Sequence, residues 1–244
     1  MTTPMVQLEG VARWFGTGHT RVVALHPTNL TVAAGELLAV MGPSGSGKTT
    51  LLSLVGGLDK PSEGNVIVDG KDVGAMKPRD LAILRRRTVG YVFQDLNLLA
   101  GLTAAENVAI PLELDGRSVR DARHAALDSL ASVGLGELAN RFPDDLSGGE
   151  QQRVAIARAL VGGRPILLAD EPTGALDSMT GESVMRLLRR HCDDGGTAIL
   201  VTHDAAHAAW AHRVVFLRDG RVVDEARPAS SPDTAAPEMV GAST

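Results

Sequence analysis

The stretch that most constrains this chain is GPSGSGKT, residues 42–49, which fits the pattern G-x-x-x-x-G-K-[ST]. An apolar run, LLAVM, leads into it, and KTTLLSLV, which reads as a helix, leads out. Glycines at 42, 45 and 47 let successive backbone N–H groups face one anion. The helix that follows adds its N-terminal dipole, worth roughly 0.3–1 kcal/mol for an exposed anion and up to about 2 when partly buried. The pattern therefore predicts a polyphosphate cradle made by Gly42, Pro43, Ser44, Gly45, Ser46, Gly47, Lys48, Thr49 and Thr50. Lys48 is expected at the β- and γ-phosphates and the Thr49 hydroxyl at Mg²⁺. No Asn-Lys-x-Asp segment for reading guanine occurs, which disfavours GTP.

A second signal is ILLADEP, residues 166–172, where Asp170 and Glu171 follow an apolar strand. Ligands of open parallel sheets bind at that carboxyl edge. Adjacent residues on an extended strand point to opposite sides. Asp170 is accordingly expected at Mg²⁺ and Glu171 at an attacking water, a general-base role worth about 10²–10⁴-fold.

Around these motifs the chain alternates strand-like and helix-like segments, the pattern of α/β layering. Residues 6–15 and 29–32 alternate apolar with polar side chains, as half-exposed antiparallel strands do. Strands are also expected at 65–68, 89–93, 165–169, 198–202 and 214–217, with a hairpin at Asp219-Gly220. Helices are expected at 78–87, 180–193 and 205–211. Between about 95 and 160 only helical spacing occurs (103–110, 119–133, 150–161), which reads as a helical subdomain inserted into the α/β core. From residue 228 onward the chain is rich in Ala, Ser, Pro and Thr without periodicity, the composition of a disordered tail.

Composition narrows the function classes. The 244 residues are 44% hydrophobic and 22% charged, ordinary globular usage. The net charge of −5 argues against a nucleic-acid partner, and one cysteine suits a reducing cytoplasm. The longest stretch without Asp, Glu, Lys or Arg, residues 22–35, is too short to span a bilayer.

With LSGGEQQRVAIARAL, residues 146–160, added to the two motifs above, the chain resembles the ATP-binding cassette (ABC) ATPases over about residues 5–225. Its physics is consistent, since Ser147 can cap a helix whose first N–H groups face an anion. The resemblance implies an α/β phosphate-loop NTPase core with a mostly parallel sheet, an N-terminal antiparallel β subdomain and an inserted α-helical subdomain, with 226–244 as a tail. It implies ATP as substrate and Mg²⁺ as cofactor. It also implies roles for Gln94 (Mg²⁺ and transporter sensing), Asp177 in Ala175-Leu176-Asp177, and His203 near the γ-phosphate. Phe15 in RWFG matches the adenine-stacking aromatic, with Trp14 as the alternative. A head-to-tail homodimer is implied, with each ATP between one phosphate loop and the partner copy's Ser147, Gly148 and Gly149.

Within the family, FQDLNLLAGLTAAENV, LSGGEQQRVAIARAL and LADEPTGALDS look most like the lipoprotein-release and macrolide-export branch. That likeness implies a separate integral permease with a large extracytoplasmic domain and a place at the cytoplasmic face of the plasma membrane. Alternatives are a regulatory, non-pumping cassette of the cell-division type or an amino-acid importer ATPase. Leu96, Leu98, Leu99 and Leu102 are expected either to meet the permease or to pack the helical subdomain. Arg85-Arg86-Arg87 reads as a solvated helix face.

Overall fold

The computed structural model describes residues 4–174 and 176–228. The expected tail, apart from its first three residues, and Ala175 of the Ala175-Leu176-Asp177 segment lie outside the described residues. Two long strands, β1 (Pro4–Phe15) and β2 (Val22–Ala33), open the chain. β3 (Leu37–Met41) leads through the glycine loop into α1 (Lys48–Val55), and β4 (Glu63–Val68) and β5 (Lys71–Asp72) follow. Next come α2 (Pro78–Arg87), β6 (Val89–Val92), and three helices: α3 (Ala104–Leu114), α4 (Val119–Ser132) and α5 (Gly148–Leu160). The remainder is β7 (Ile166–Asp170), α6 (Ser178–Asp193), β8 (Thr197–Thr202), α7 (Ala205–Ala208), β9 (Arg213–Arg218) and β10 (Arg221–Ala226).

The strands form two sheets. One is antiparallel, in the order β2-β1-β4-β5. The other runs β10-β9-β3-β8-β7-β6, parallel except for the edge strand β10. β7 and β8 are buried at every position, as strands covered on both faces must be. One apolar cluster joins the antiparallel sheet, α1 and one face of the parallel sheet, with Leu51, Leu52 and Leu54 fully buried. A second covers the opposite face with side chains of α5, α6 and α7. A third is confined to the block of α3, α4 and α5, where Ala122, Ala126, Leu130 and Val154 meet. No helix among the described residues is long and apolar enough to cross a membrane.

Several boundaries differ from the sequence reading. β1 and β2 are each twelve residues long because register shifts between residues 4 and 14 interrupt the period-two alternation that marks strands. α7 ends at Ala208 rather than 211. β5 is two residues long, too short to leave a periodic trace.

Candidate functional site

The glycine loop sits where the pattern requires it, at the carboxyl end of β3. Gly47 caps α1 at φ 101°, and a side chain there would meet the carbonyl oxygen of Ala24 at 2.4 Å. Gly42 is closer still, since its Cβ would lie 2.0 Å from the Leu217 carbonyl oxygen. These glycines are demanded by the walls of the loop as well as by its curvature. Lys48 is buried, and its ammonium donates to the carbonyls of Gly42 (2.8 Å) and Pro43 (3.0 Å). The buried Ser46 hydroxyl has no partner among the described residues.

A cleft of about 800 Å³ opens over the loop. Its walls include Ser44, Gly45, Gly47, Lys48, Thr49 and Thr50, and on the far side Gln94, Asp170, Glu171 and His203. Four separate segments of the chain thus converge on one volume. Asp170 is buried and bonded to Thr49. Burial pushes its carboxyl above the usual aspartate range; the Thr49 bond and the Lys48 charge act the other way, while Glu171 adds to the rise. The Glu171 carboxylate lies 2.9 Å from His203 Nδ1.

One expectation needs correction. Asp170 and Glu171 are not consecutive residues of one extended strand, so the alternation does not govern the pair. Glu171 leaves the strand in the left-handed region, at φ 48°, which re-aims its side chain, so both carboxylates line the same cleft. Strand alternation stops at Asp170.

Residues present here suit a nucleotide with Mg²⁺. The loop is a cradle whose close approach to the Leu217 and Ala24 carbonyls leaves no room for side chains at Gly42 and Gly47. Thr49 and Asp170 offer the hard oxygen donors that Mg²⁺ takes alongside phosphate oxygens and water. Among the described residues, no group of three or more His, Cys, Asp or Glu could hold a metal ion. A Mg²⁺ site of this kind would need phosphate to complete it.

The remaining expected residues lie apart from this cleft. Phe15 ends β1, half exposed, with the Arg13 guanidinium 4.4 Å from its ring centre; the Trp14 ring is covered by Arg21 at 3.7 Å. Neither lines the cleft, whose nearest wall on that side is Ala24. Ser147 caps α5 in a reciprocal box with Glu150: the Glu150 carboxylate accepts from the Ser147 N–H and hydroxyl, both at 2.8 Å. Those two bonds hold the Glu150 carboxyl below its ordinary range. Gly148 faces open space, whereas a side chain at Gly149 would strike Thr180 Cγ2 at 2.5 Å. Asp177 caps α6, accepting from the Thr180 N–H and hydroxyl.

Of the four leucines, Leu96 packs against the second apolar cluster, Leu98 against both the second and the helical-block cluster, and Leu99 is exposed. The three arginines are not a free solvated face. Arg85 donates to the Gly57 carbonyl, and Arg86 and Arg87 pair with Asp115. Sequence reasoning also missed His207, whose Nδ1 lies 2.9 Å from Thr173 Oγ1 and 3.3 Å from Asp204 Oδ2. The only local signal was the Asp204/His207 spacing of one helical turn.

Comparison with known proteins agrees with this geometry. The family described as ABC transporter matches residues 25–174. A macrolide export ATP-binding/permease protein of Hyphomonas neptunium is 47% identical over 92% of this chain and 35% of its own length. Its counterpart in Azoarcus sp. is 46% identical over 97% of this chain and 36% of its own. The chain therefore spans about a third of the length of these curated relatives. Among solved structures, the ATP-binding cassette MJ0796 in a dimeric post-hydrolysis state with ADP and Pi is 43% identical, with a TM-score of 0.86 over 93% of this chain and all of that one. A further dimeric structure of the same bacterial cassette is 44% identical with the same score. A parallel sheet carrying this loop, this carboxylate pair and this capped signature helix, matched by profile and by fold, places the chain in the ABC transporter family as an ATP-binding cassette.

Proposed function

We propose that the chain is the ATP-hydrolysing engine of a membrane transporter. The observation that carries this is the single cleft in which Lys48, Thr49, Gln94, Asp170, Glu171 and His203 converge. Backbone N–H groups of the loop and the Lys48 ammonium hold the β- and γ-phosphates. Thr49 and Asp170, with Gln94, would hold Mg²⁺, which when bound would neutralise charge on the phosphate oxygens. The Glu171 carboxylate takes the proton of the water that attacks the γ-phosphorus, as the bond from that phosphorus to the β,γ-bridging oxygen breaks and ADP leaves. His203, bonded to Glu171 at 2.9 Å, orients that carboxylate and meets the γ-phosphate.

The 147–149 segment lies outside the cleft and has open space before Gly148, so it completes the site of a second copy rather than its own. The dimeric cassettes among the similar structures support a head-to-tail homodimer of this kind. Asp177 and Phe15 belong to the same composite site, Phe15 stacking adenine on the ring face away from Arg13. One ATPase unit runs over residues 5–225, with the 95–160 helical subdomain inserted in it.

The motor drives a permease at the cytoplasmic face of the membrane. The relatives named as macrolide export ATP-binding/permease proteins favour export; extracytoplasmic handling of a lipid, lipoprotein, peptide or antibiotic through a permease with a large outer domain is our reading of residues 93–108, 146–160 and 168–178. A groove of about 360 Å³ between α2, β6 and α3, walled by Leu58, Tyr91, Phe93 and Leu114 and rimmed by Arg85, Arg86, Arg158 and Arg164, is the surface we assign to the permease.

The test is phosphate release by the purified chain with ATP and Mg²⁺. Lys48→Ala should abolish both ATP binding and turnover. Glu171→Gln should keep binding, lower turnover by about 10²–10⁴-fold and accumulate an ATP-bound dimer. Hydrolysis indifferent to Lys48→Ala would overturn the reading.

A further inference from the structure

The segment that joins Gln94 to α3 has an unusual backbone. Leu96 and Asn97 both lie in the left-handed region, at φ 57° and 49°. Asparagine tolerates that region and leucine does not, so Leu96 is held there against its preference. Within the turn, the Leu96 N–H donates to the Phe93 carbonyl at 3.0 Å and the Asn97 N–H to the Asp95 carbonyl at 2.6 Å.

What holds the turn comes from far along the chain. The Arg158 guanidinium, in the last turn of α5, donates through one nitrogen to the Asn97 carbonyl at 2.6 Å and through another to the Leu96 carbonyl. A planar fork on two consecutive carbonyls fixes orientation as well as distance. Burial holds the guanidinium below its ordinary pKa, and these two bonds go to backbone carbonyls rather than to a carboxylate. A half-buried cation held by two backbone carbonyls of a strained turn is an arrangement of the kind that persists where it serves a site. The other end of the segment is anchored separately by Asn107, fully buried on α3, which bonds the Leu99 N–H and the carbonyls of Leu99, Leu102 and Thr103. Arg158 and Asn97 also line the groove assigned above to the permease.

We propose that Arg158 is a positioning residue for Gln94. It fastens the loop that carries Gln94 to the helix that begins at the signature, so that a shift of the helical block, or an occupant of the groove, moves Gln94 in the ATP cleft. This rests on the ATPase reading above. Arg158 does not line the cleft proposed for ATP; it acts through the backbone of Leu96 and Asn97.

The test uses the purified chain and its Arg158→Met, Arg158→Lys, Leu96→Gly and Arg158→Met/Leu96→Gly variants. Methionine keeps the apolar stem and removes the fork. Arg158→Met should lower kcat about tenfold with KM for ATP changed by less than about twofold, the size of effect that a coupling residue carries. Arg158→Lys, a single point donor, should recover part of the loss. Amide exchange at residues 96–97 should accelerate while α5 stays protected. Leu96→Gly, which removes the left-handed penalty, should regain about threefold in the double variant. Unchanged kcat and unchanged exchange would overturn the proposal. So would kcat and KM shifting together with a large fall in Tm and no recovery from glycine, the signature of a merely structural arginine. If the unaltered chain itself hydrolyses no ATP, the ATPase reading fails, and the exchange measurement still decides whether Arg158 holds the turn.

Discussion

The chain presents two glycine-bearing helix N-termini that resemble each other in sequence and differ in construction. At α1 the phosphate loop is walled in: Gly42 and Gly47 have backbone carbonyls where a side chain would go, Lys48 is folded across the loop, and a cleft lies over it. At α5 the terminus is closed on itself. The Glu150 carboxylate and Ser147 satisfy each other, Gly148 meets nothing, and Gly149 is packed on Thr180 rather than on a cavity. Both ends have the dipole and unpaired N–H groups that favour an anion. Among the described residues the first lines a cleft, whereas Gly148 at the second faces open space. The difference teaches that a helix N-terminus becomes a site by what surrounds it; in the proposed head-to-tail dimer the second would take its surroundings from another copy.

The comparison breaks most readily at Gly47. Its φ of 101° is unfavourable for any side chain, and the added Cβ would press on the Ala24 carbonyl, which belongs to β2 and cannot swing away. Gly47→Ala should therefore cost about 3 kcal/mol of ATP binding, roughly a hundredfold. Equilibrium binding of a fluorescent ATP analogue reads this directly. Near-normal affinity would mean that the loop is softer than its walls imply, and the contrast with α5 would collapse.

How legible each terminus was follows from the same contrast. The phosphate loop is a local object: strand, glycines, Lys48 and helix are contiguous, so residues 42–49 and their flanks could be read directly. The carboxylates at 170 and 171 were readable as a pair, yet their meeting in one cleft depends on one backbone angle at Glu171 that side-chain identity does not encode. The role of Gly149 was unreadable because its cause, Thr180, lies on α6. Arg158 was hidden for the same reason: its partners Leu96 and Asn97 are carbonyls, which any residue supplies. The helical block was easy, since its 3.6-residue spacing is sustained, whereas β1 and β2 were underestimated where register shifts broke their alternation.

A smaller effect sharpens the α5 side. Gly149→Ala should destabilise the fold by about 1–2 kcal/mol, because Thr180 is held by Asp177 and cannot rotate freely. Thr180→Ser keeps the hydroxyl bonded to Asp177 and removes the methyl that collides. Combined with Gly149→Ala it should restore most of the lost stability in urea unfolding. Gly148→Ala, facing open space, should stay within about 0.5 kcal/mol of the parent. Equal penalties at 148 and 149 would show that α5 selects glycine for its backbone and not for the α6 contact.

The smallest expected effect concerns Glu150, where geometry and charge can be separated. Glutamine keeps an oxygen to accept from the Ser147 N–H and hydroxyl, so Glu150→Gln should cost only about half a kcal/mol near neutral pH. The pH dependence is more telling. The folded-state pKa of Glu150 is held below its ordinary value of 4.5 by the Ser147 N–H and then the hydroxyl. The unfolded chain therefore binds the proton more readily, and the stabilisation is present above that value and is lost as pH falls through the lower folded one. Urea midpoints measured from pH 6 down to 3 should fall less steeply in Glu150→Gln than in the parent. Parallel curves would mean that the carboxylate is not held at the cap in solution, and that the α5 terminus is open to an anion without any rearrangement of its own residues.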